Sequence, residues 1–205
     1  VQSDLFDVAM PEGFEYRAGF VTRDEQLALV DLIGRLPFEA VRMHGGVARR
    51  RTVHYGWTYG YESRRSEPGA PIPEFLLPLR ARVAAWMGVT PEELAEGLIT
   101  EYPLGAPIGW HRDAPMFEDI AGVSLGSECR IKFRPYMSPD ALSGPQGARP
   151  LRRTTHQTVL EPRSAYLIRG SARRDFEHSI PPVEGTRYSA TFRTMQSRER
   201  PSSSA

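Results

Sequence analysis

The chain has 205 residues, 40% hydrophobic and 25% charged, and its 26 lysines and arginines nearly balance 25 acids, leaving a net charge of +1. That is the composition of a soluble globular domain long enough to bury a real core. It excludes a polycation, no apolar run approaches the roughly 18 residues of a membrane helix, and the single cysteine, Cys129, excludes an internal disulfide.

The opening segment has no basic stretch followed by an apolar one, so no secretory signal is expected. The lone cysteine fits a reducing, cytoplasmic setting, and "SECRIKF" reads as a strand with Cys129 a plain core or edge cysteine. Every basic residue except Lys132 is an arginine. Local basic runs at 42–51 and 149–153 suit either a nucleic-acid backbone or a solvated loop.

The first element announces itself by a capping box, Thr22 and Glu25, followed by Leu27, Val30 and Leu32/Ile33 at helical spacing; a helix is expected over 23–35. "PFEAVRM" reads as a weak strand. The aromatic and glycine-rich segment 51–63 reads as a loop or hairpin. A second helix follows in "PIPEFLLPLRARVAAWMG", with Phe75, Leu76, Leu79, Val83, Trp86 and Met87 on one face and Gly88 as its stop. Thr90, Pro91 and Glu93 form another capping box, predicting a short third helix.

From residue 97 the texture changes. Short β-rich runs alternate with Gly/Pro turns, a spacing that points to a sandwich, barrel or jelly roll. Residues 137–150 read as a Pro/Gly/Ser loop and 197–205 as a disordered tail. There is no internal repeat. The expected organisation is one domain over 1–196, its α-rich front (1–96) packed on a β-rich back (97–196).

The chemistry begins at "GWHRDAP". On a strand, residues i and i+2 share a face, so His111 and Asp113 can reach one ion while Arg112 points away. A third ligand must come from His44, His54, His156 or His178, and His178 in "FEHSIPP", just ahead of the last strand, is the natural candidate. Two histidines and a carboxylate on one face of iron(II) leave three positions open, enough for a bidentate cosubstrate and O2. Farther on, "RYSATFR" places Arg187 and Arg193 six apart on one strand face. Inward arginines are costly unless paired. A dicarboxylate cosubstrate would pair one of them; core acids such as Asp113 or Glu101 are the alternative.

Together "EYPLGAPIGWHRD", "VSLG", "FEHSIPPV" and "RYSATFR" resemble the AlkB family of iron(II)- and 2-oxoglutarate-dependent dioxygenases, whose signature of His-x-Asp, a distant His and Arg-x5-Arg is present in order over residues 97–195. "RRRTVHYGWTYGYES" is similar to the family's nucleotide-recognition lid. The resemblance implies a mixed α/β fold: a double-stranded β-helix (jelly-roll) core, supporting N-terminal helices and that lid. It implies His111, Asp113 and His178 as iron ligands. Arg187 would take the far carboxylate of 2-oxoglutarate, Tyr102 would donate to it, and Arg193 would support the same pocket near the metal-bound carboxylate. Thr100 and Ser189 stand where the family often has asparagines, and both can still hydrogen-bond. Arg51, Thr52, Tyr55, Trp57, Tyr59 and Tyr61 would form the lid, the aromatics stacking on a base at about 1–3 kcal/mol each.

The implied reaction hydroxylates an N-alkyl carbon with Fe(II), 2-oxoglutarate and O2, and releases an aldehyde and a repaired base. The implied partner is DNA, or RNA, carrying alkylated bases, bound by a monomeric protein with the target base turned out of the stack. One departure concerns the substrate. Pro115 stands where many repair members have an acid that contacts the base, and Glu118 or Asp119 would have to substitute. Trp110 is read as wall or core, Met116 and Phe117 as candidates for the mouth, His44 and His54 as lid or surface, and His156 as solvent-facing.

Overall fold

The computed structural model describes residues 9–43, 46–60, 65–138 and 154–196. Its elements in chain order are β1 (Phe14–Arg17), α1 (Arg23–Ile33), β2 (Glu39–Met43), β3 (Gly46–Gly60), β4 (Arg65–Pro68), α2 (Leu77–Met87), β5 (Leu94–Tyr102), β6 (Ile108–His111), β7 (Phe117–Gly126), β8 (Cys129–Pro135), β9 (His156–Leu160), β10 (Ser164–Ile168), α3 (Gly170–Arg174), β11 (Phe176–Ile180) and β12 (Arg187–Met195). The strands form two antiparallel sheets. The larger runs β1-β10-β7-β12-β5-β3-β2 with β4 added to β3, and the smaller runs β6-β11-β8-β9. This is the jelly-roll sandwich expected from the spacing of the short strands.

The period-two alternation of the large sheet builds two cores. One face carries Ile99, Val123, Leu125, Leu167, Ala190 and Phe192 against Ile33 of α1 and Leu79, Val83 and Met87 of α2. The opposite face carries Tyr102, Ile120, Tyr166 and Ile168 against Ile131, Phe133, Leu160 and Ile180 of the small sheet. Each fully buried aliphatic or aromatic side chain contributes about 1.5–3 kcal/mol.

The capping box of α1 is formed, with Glu25 N donating to Thr22 Oγ1 at 3.1 Å and Thr22 N to Glu25 Oε2 at 2.7 Å. The second helix starts later than its apolar pattern suggests. Residues Glu74–Leu76 form a 3-10 turn, and α2 begins only at Leu77. Pro78, in the first turn of α2, has no amide to donate to Glu74 O, so the α-helical ladder cannot extend back through residues 74–76. Gly88 ends α2 in the left-handed region at φ 76°. The short third helix shrinks to a 3-10 turn, Pro91–Glu93, because β5 starts at Leu94.

The front of the chain is less purely helical than its composition suggests. β1 pairs with β10 at one edge of the large sheet, while β3 pairs with β5 and β2 at the other. β3 serves two partners: residues 51–56 pair with β5, and residues 57–60 form a hairpin with β4. The change falls at Gly56, whose φ is +73° and where a Cβ would stand 2.1 Å from Ala95 O; only glycine fits so close an approach. Among the described residues no helix is long and apolar enough to cross a membrane. Most of the 137–150 loop, and all of the 197–205 tail, lie outside the described residues.

Candidate metal centre and cosubstrate pocket

Neighbouring strands bring the two histidines together. β6 and β11 are antiparallel with His111 directly opposite His178, and the ring centroids are 4.3 Å apart. Asp113 follows on the loop after β6, with Oδ2 at 3.5 Å from His178 Nε2. One ligand atom from each of the three residues lies within 4.8 Å of the others, the spacing of a shared ion. His111 Nδ1 is 2.9 Å from Gly109 O. A carbonyl only accepts, so Nδ1 holds the proton and Nε2 keeps its lone pair for a metal.

The electrostatics favour ligation. Burial, with His111 alongside, lowers the His178 pKa to about 3, leaving a neutral imidazole. Burial alone would raise the Asp113 carboxyl, but Arg193 foremost, with the histidines and Arg173, holds it well below the usual carboxylate range. Arg193 donates from Nη2 to Asp113 Oδ1 at 2.5 Å and from Nη1 to Glu96 Oε2 at 2.5 Å. Of the two readings of Arg193 left open above, pairing with core acids is present here, with Glu96 and not Glu101 as the second acid.

The loop bearing Asp113 is pinned from α3. Arg173 donates from Nη2 to Ala114 O and Phe117 O, both at 2.9 Å, and from Nε to Glu118 O at 3.1 Å. The loop forms part of a cleft of about 530 Å3 that opens over His111 and Asp113 and is walled by Pro115, Phe117, Glu118, Tyr136 and Glu177. Glu118 is ion-paired with Arg174 at 3.2 Å. Asp119 is half-buried, and its backbone amide donates to Thr194 Oγ1.

A second polar cluster lies on the face of the large sheet that also bears Arg193. Arg187 on β12 stands opposite Tyr102 on β5, and Ser189 opposite Thr100. Arg187 is 0% exposed. Its Nε donates to Ser124 Oγ at 3.0 Å, and its guanidinium carbon lies 5.0 Å from the Tyr102 ring. Nη1 and Nη2 are buried and find no hydrogen-bond acceptor among the described residues. Two forked cationic donors, buried and without an acceptor among the described residues, match a carboxylate. Burial pushes the Tyr102 hydroxyl to about 12, so it remains a donor. The residues present therefore fit both an iron(II) ion and a dicarboxylate.

The lid residues divide. Tyr55 is 8% exposed and packs in the helix-side core. It sits opposite Gly97, beside Ile99 and away from the triad, so its assignment to base stacking is corrected to packing. Arg51 lies on that same side, ion-paired to Glu101 at 2.5 Å, rather than toward the cleft. Thr52 is opposite Thr100. Trp57 is 40% exposed at the base of the β3–β4 hairpin. The side chain of Tyr59, and all of Tyr61 and His44, lie outside the described residues.

Among the remaining expectations, Cys129 is buried as read, and Trp110 is half-buried with the Arg134 guanidinium 4.3 Å from its ring. Phe117 is both buried and part of the cleft wall. His156, read as solvent-facing, is half-buried and bonded to Ala9 O. His54, read as lid or surface, is instead 3.0 Å from Glu96 Oε1. The sequence reading missed Glu96 and Arg173. Glu96 was findable, since alternation along "LAEGLITEY" puts Glu96, Thr100 and Tyr102 on one face. Arg173 carried no such signal, because its partners are backbone carbonyls.

Comparison with known proteins places this site in context. The family described as 2OG-Fe(II) oxygenase superfamily matches residues 22–200. A curated Arabidopsis thaliana protein, "Alkylated DNA repair protein ALKBH8 homolog", is 29% identical over 148 residues, which is 66% of this chain and 43% of that protein. The chain thus spans less than half the length of this relative. The solved structure described as "The structure of OsALKBH1" superposes with a TM-score of 0.66 and 14% identity, covering 91% of this chain and 99% of the other; at that identity the likeness is one of fold.

Proposed function

The chain belongs to the 2OG-Fe(II) oxygenase superfamily and has AlkB-like relatives, so its cofactors are Fe(II), 2-oxoglutarate and O2. From that premise we propose that it removes N-alkyl groups from DNA bases by oxidation, as one domain over residues 1–196. The carrying observation is the combination of the His111–Asp113–His178 cluster with Arg187, whose two buried terminal nitrogens lack an acceptor among the described residues. A cleft of about 530 Å3 over the cluster supports a substrate the size of a base.

Bound iron and cosubstrate supply an oxidant for an alkyl C–H bond, and a hydroxyalkyl group on a base nitrogen breaks down to aldehyde and free base. The chain's own residues do the rest. His111 offers Nε2, and burial keeps His178 a neutral imidazole, so His178 need not shed a proton near neutral pH. Arg187 and Tyr102 grip the far carboxylate of 2-oxoglutarate, with Thr100 and Ser189 in the same pocket wall. Arg173 holds the carbonyls of 114, 117 and 118, so the Asp113 loop keeps its shape while a base enters. Among the described lid candidates Trp57 is the exposed aromatic that would cover that base, and Glu118 is an acid on the cleft wall for the role that Pro115 cannot fill. The printed name of the Arabidopsis relative supports alkylated DNA as substrate.

The test is incubation with Fe(II), ascorbate and 2-oxoglutarate plus short single-stranded DNA or RNA carrying 1-methyladenine, 3-methylcytosine or ethenoadenine, read by mass. Loss of the adduct from DNA, absent in Asp113→Ala, is the expected result. Repair of RNA alone, or succinate formed while every adduct survives, would overturn the DNA assignment and leave the oxygenase chemistry standing.

A further inference from the structure

A line of polar groups runs from the rim of the sheet to the candidate iron site. His54 on β3 has a side chain 34% exposed, and its Nδ1 is 3.0 Å from Glu96 Oε1. Glu96 on β5, 2% exposed, accepts with its other oxygen from Arg193 on β12, which is 10% exposed. Arg193 in turn holds Asp113 Oδ1, leaving Oδ2 on the side of His178. Three adjacent strands contribute one group each, and Glu96 faces Arg193 directly across the β5–β12 ladder.

A carboxylate this buried is expensive to keep unless it has work in its surroundings. Two consequences follow from where Glu96 stands. A guanidinium gripped through one nitrogen can swing; gripped through both, it is held in plane, and the Asp113 oxygen it touches is held with it. The second consequence concerns charge. Asp113 and Arg193 alone sum to zero, which is a poor field for a divalent cation. Arg173 brings a second positive charge to the Asp113 loop, and Glu96 offsets one of the two guanidinium charges, in a buried setting where solvent screens little.

We propose that Glu96, steadied by His54, is a positioning residue for the metal centre: through Arg193 it presents Asp113 to the ion by Oδ2, and its charge offsets that of Arg193. The proposal rests on reading His111, Asp113 and His178 as the ligands. It makes Arg193 a support of the metal rather than a grip on the cosubstrate.

The experiment is anaerobic titration of the full chain with Co(II), followed by its d–d absorption, and with Mn(II), followed by calorimetry, both without turnover. Glu96→Gln keeps the shape and removes the charge. It should weaken both metals about 10-fold or more, as loss of groups that orient metal ligands does, and alter the Co(II) band. Glu96→Asp, keeping the charge, should recover part of the affinity. Glu96→Gln binding both metals as the parent does would overturn the proposal. Should that variant fail to fold, His54→Ala, changed at a one-third-exposed side chain, decides: a weaker, altered Co(II) complex supports the proposal, and an unchanged one overturns it. Asp113→Ala separates the layers. If it binds metal like the parent, the ligand assignment itself has failed; if it does not, the result for Glu96 stands on its own.

Discussion

Arg187→Met should make the cosubstrate-free protein more stable while destroying its response to 2-oxoglutarate. The arginine is 0% exposed, and among the described residues only Nε of its three guanidinium nitrogens has a hydrogen-bond partner, Ser124 Oγ at 3.0 Å. A charge taken from water into such a site costs several kcal/mol. The one hydrogen bond, charge-assisted because its donor is a guanidinium, returns about 1.5–3 kcal/mol, and the Tyr102 ring at 5.0 Å returns about 1–2 kcal/mol more. Replacing buried ionic groups by apolar ones of similar volume stabilises by about 1–4 kcal/mol. Loss of the donor to Ser124 subtracts about 1 kcal/mol, leaving a gain of about 0–3 kcal/mol. For a chain of this size each kcal/mol is about 2–4 °C in Tm.

The ligand arm runs the other way. At 100 times its Kd, 2-oxoglutarate should stabilise the parent by about 2.7 kcal/mol. Truncating one partner of a buried, hydrogen-bonded charge pair costs about 2–5 kcal/mol in affinity, so the variant should keep at most about 0.9 kcal/mol of that stabilisation at the same concentration. The assay is thermal unfolding with Mn(II), with and without 2-oxoglutarate. A variant that is less stable alone and still shifts like the parent would refute the reasoning, and Arg187 would be a structural residue.

Asp113→Ala should abolish succinate formation with an unchanged circular dichroism spectrum, since Glu96 keeps Arg193 paired; residual turnover would remove Asp113 from the ligand set. Tyr55→Ala should cost about 3–5 kcal/mol of stability, as emptying a core aromatic site does. Trp57→Ala, at a 40% exposed side chain, should leave Tm within about 1–2 °C and raise the KM for alkylated oligonucleotide; the reverse pattern would return Tyr55 to the lid. The fourth prediction concerns pH. The Arg82 hydrogen bond, then the Thr22 amide, lower the Glu25 carboxyl from 4.5 to about 2. Its contribution is therefore complete above about pH 5 and is lost as pH falls through the folded value near 2. Glu25 is 37% exposed, so solvent screening holds the ion pair to about 1 kcal/mol. Glu25→Gln should lower Tm at pH 7 and leave it unchanged near pH 2; an equal loss at both would show that charge is not the cause.

Much of this molecule could be read from its sequence, and the parts that could not share a cause. The order of His111, Asp113, His178, Arg187 and Arg193 was legible because each is chemically distinctive and sits at a fixed strand spacing. The caps at Thr22 and Thr90 were legible because they are local. β1 was not: four residues, FEYR, gain strand form only from β10, about 150 positions away in sequence. The side of the sheet that Tyr55 faces depends on register with Gly97 and Ile99, and no local pattern within an aromatic-rich segment fixes that register. Arg173 hydrogen-bonds carbonyls that every residue possesses, so its partners leave no trace in residue type.

The direct pairing of His111 with His178 also bears on how the chain is held shut. β6 is four residues long, lies at the edge of the small sheet and has β11 as its one ladder partner. An ion gripped by both histidines would act as a covalent staple does, tying positions 111 and 178 and closing a loop that contains β7 through α3. By the loop entropy of cross-linked chains, such a closure is worth about 4 kcal/mol. The metal-free protein would then unzip first at β6, and a protease would nick it there long before the helix-backed sheet gave way.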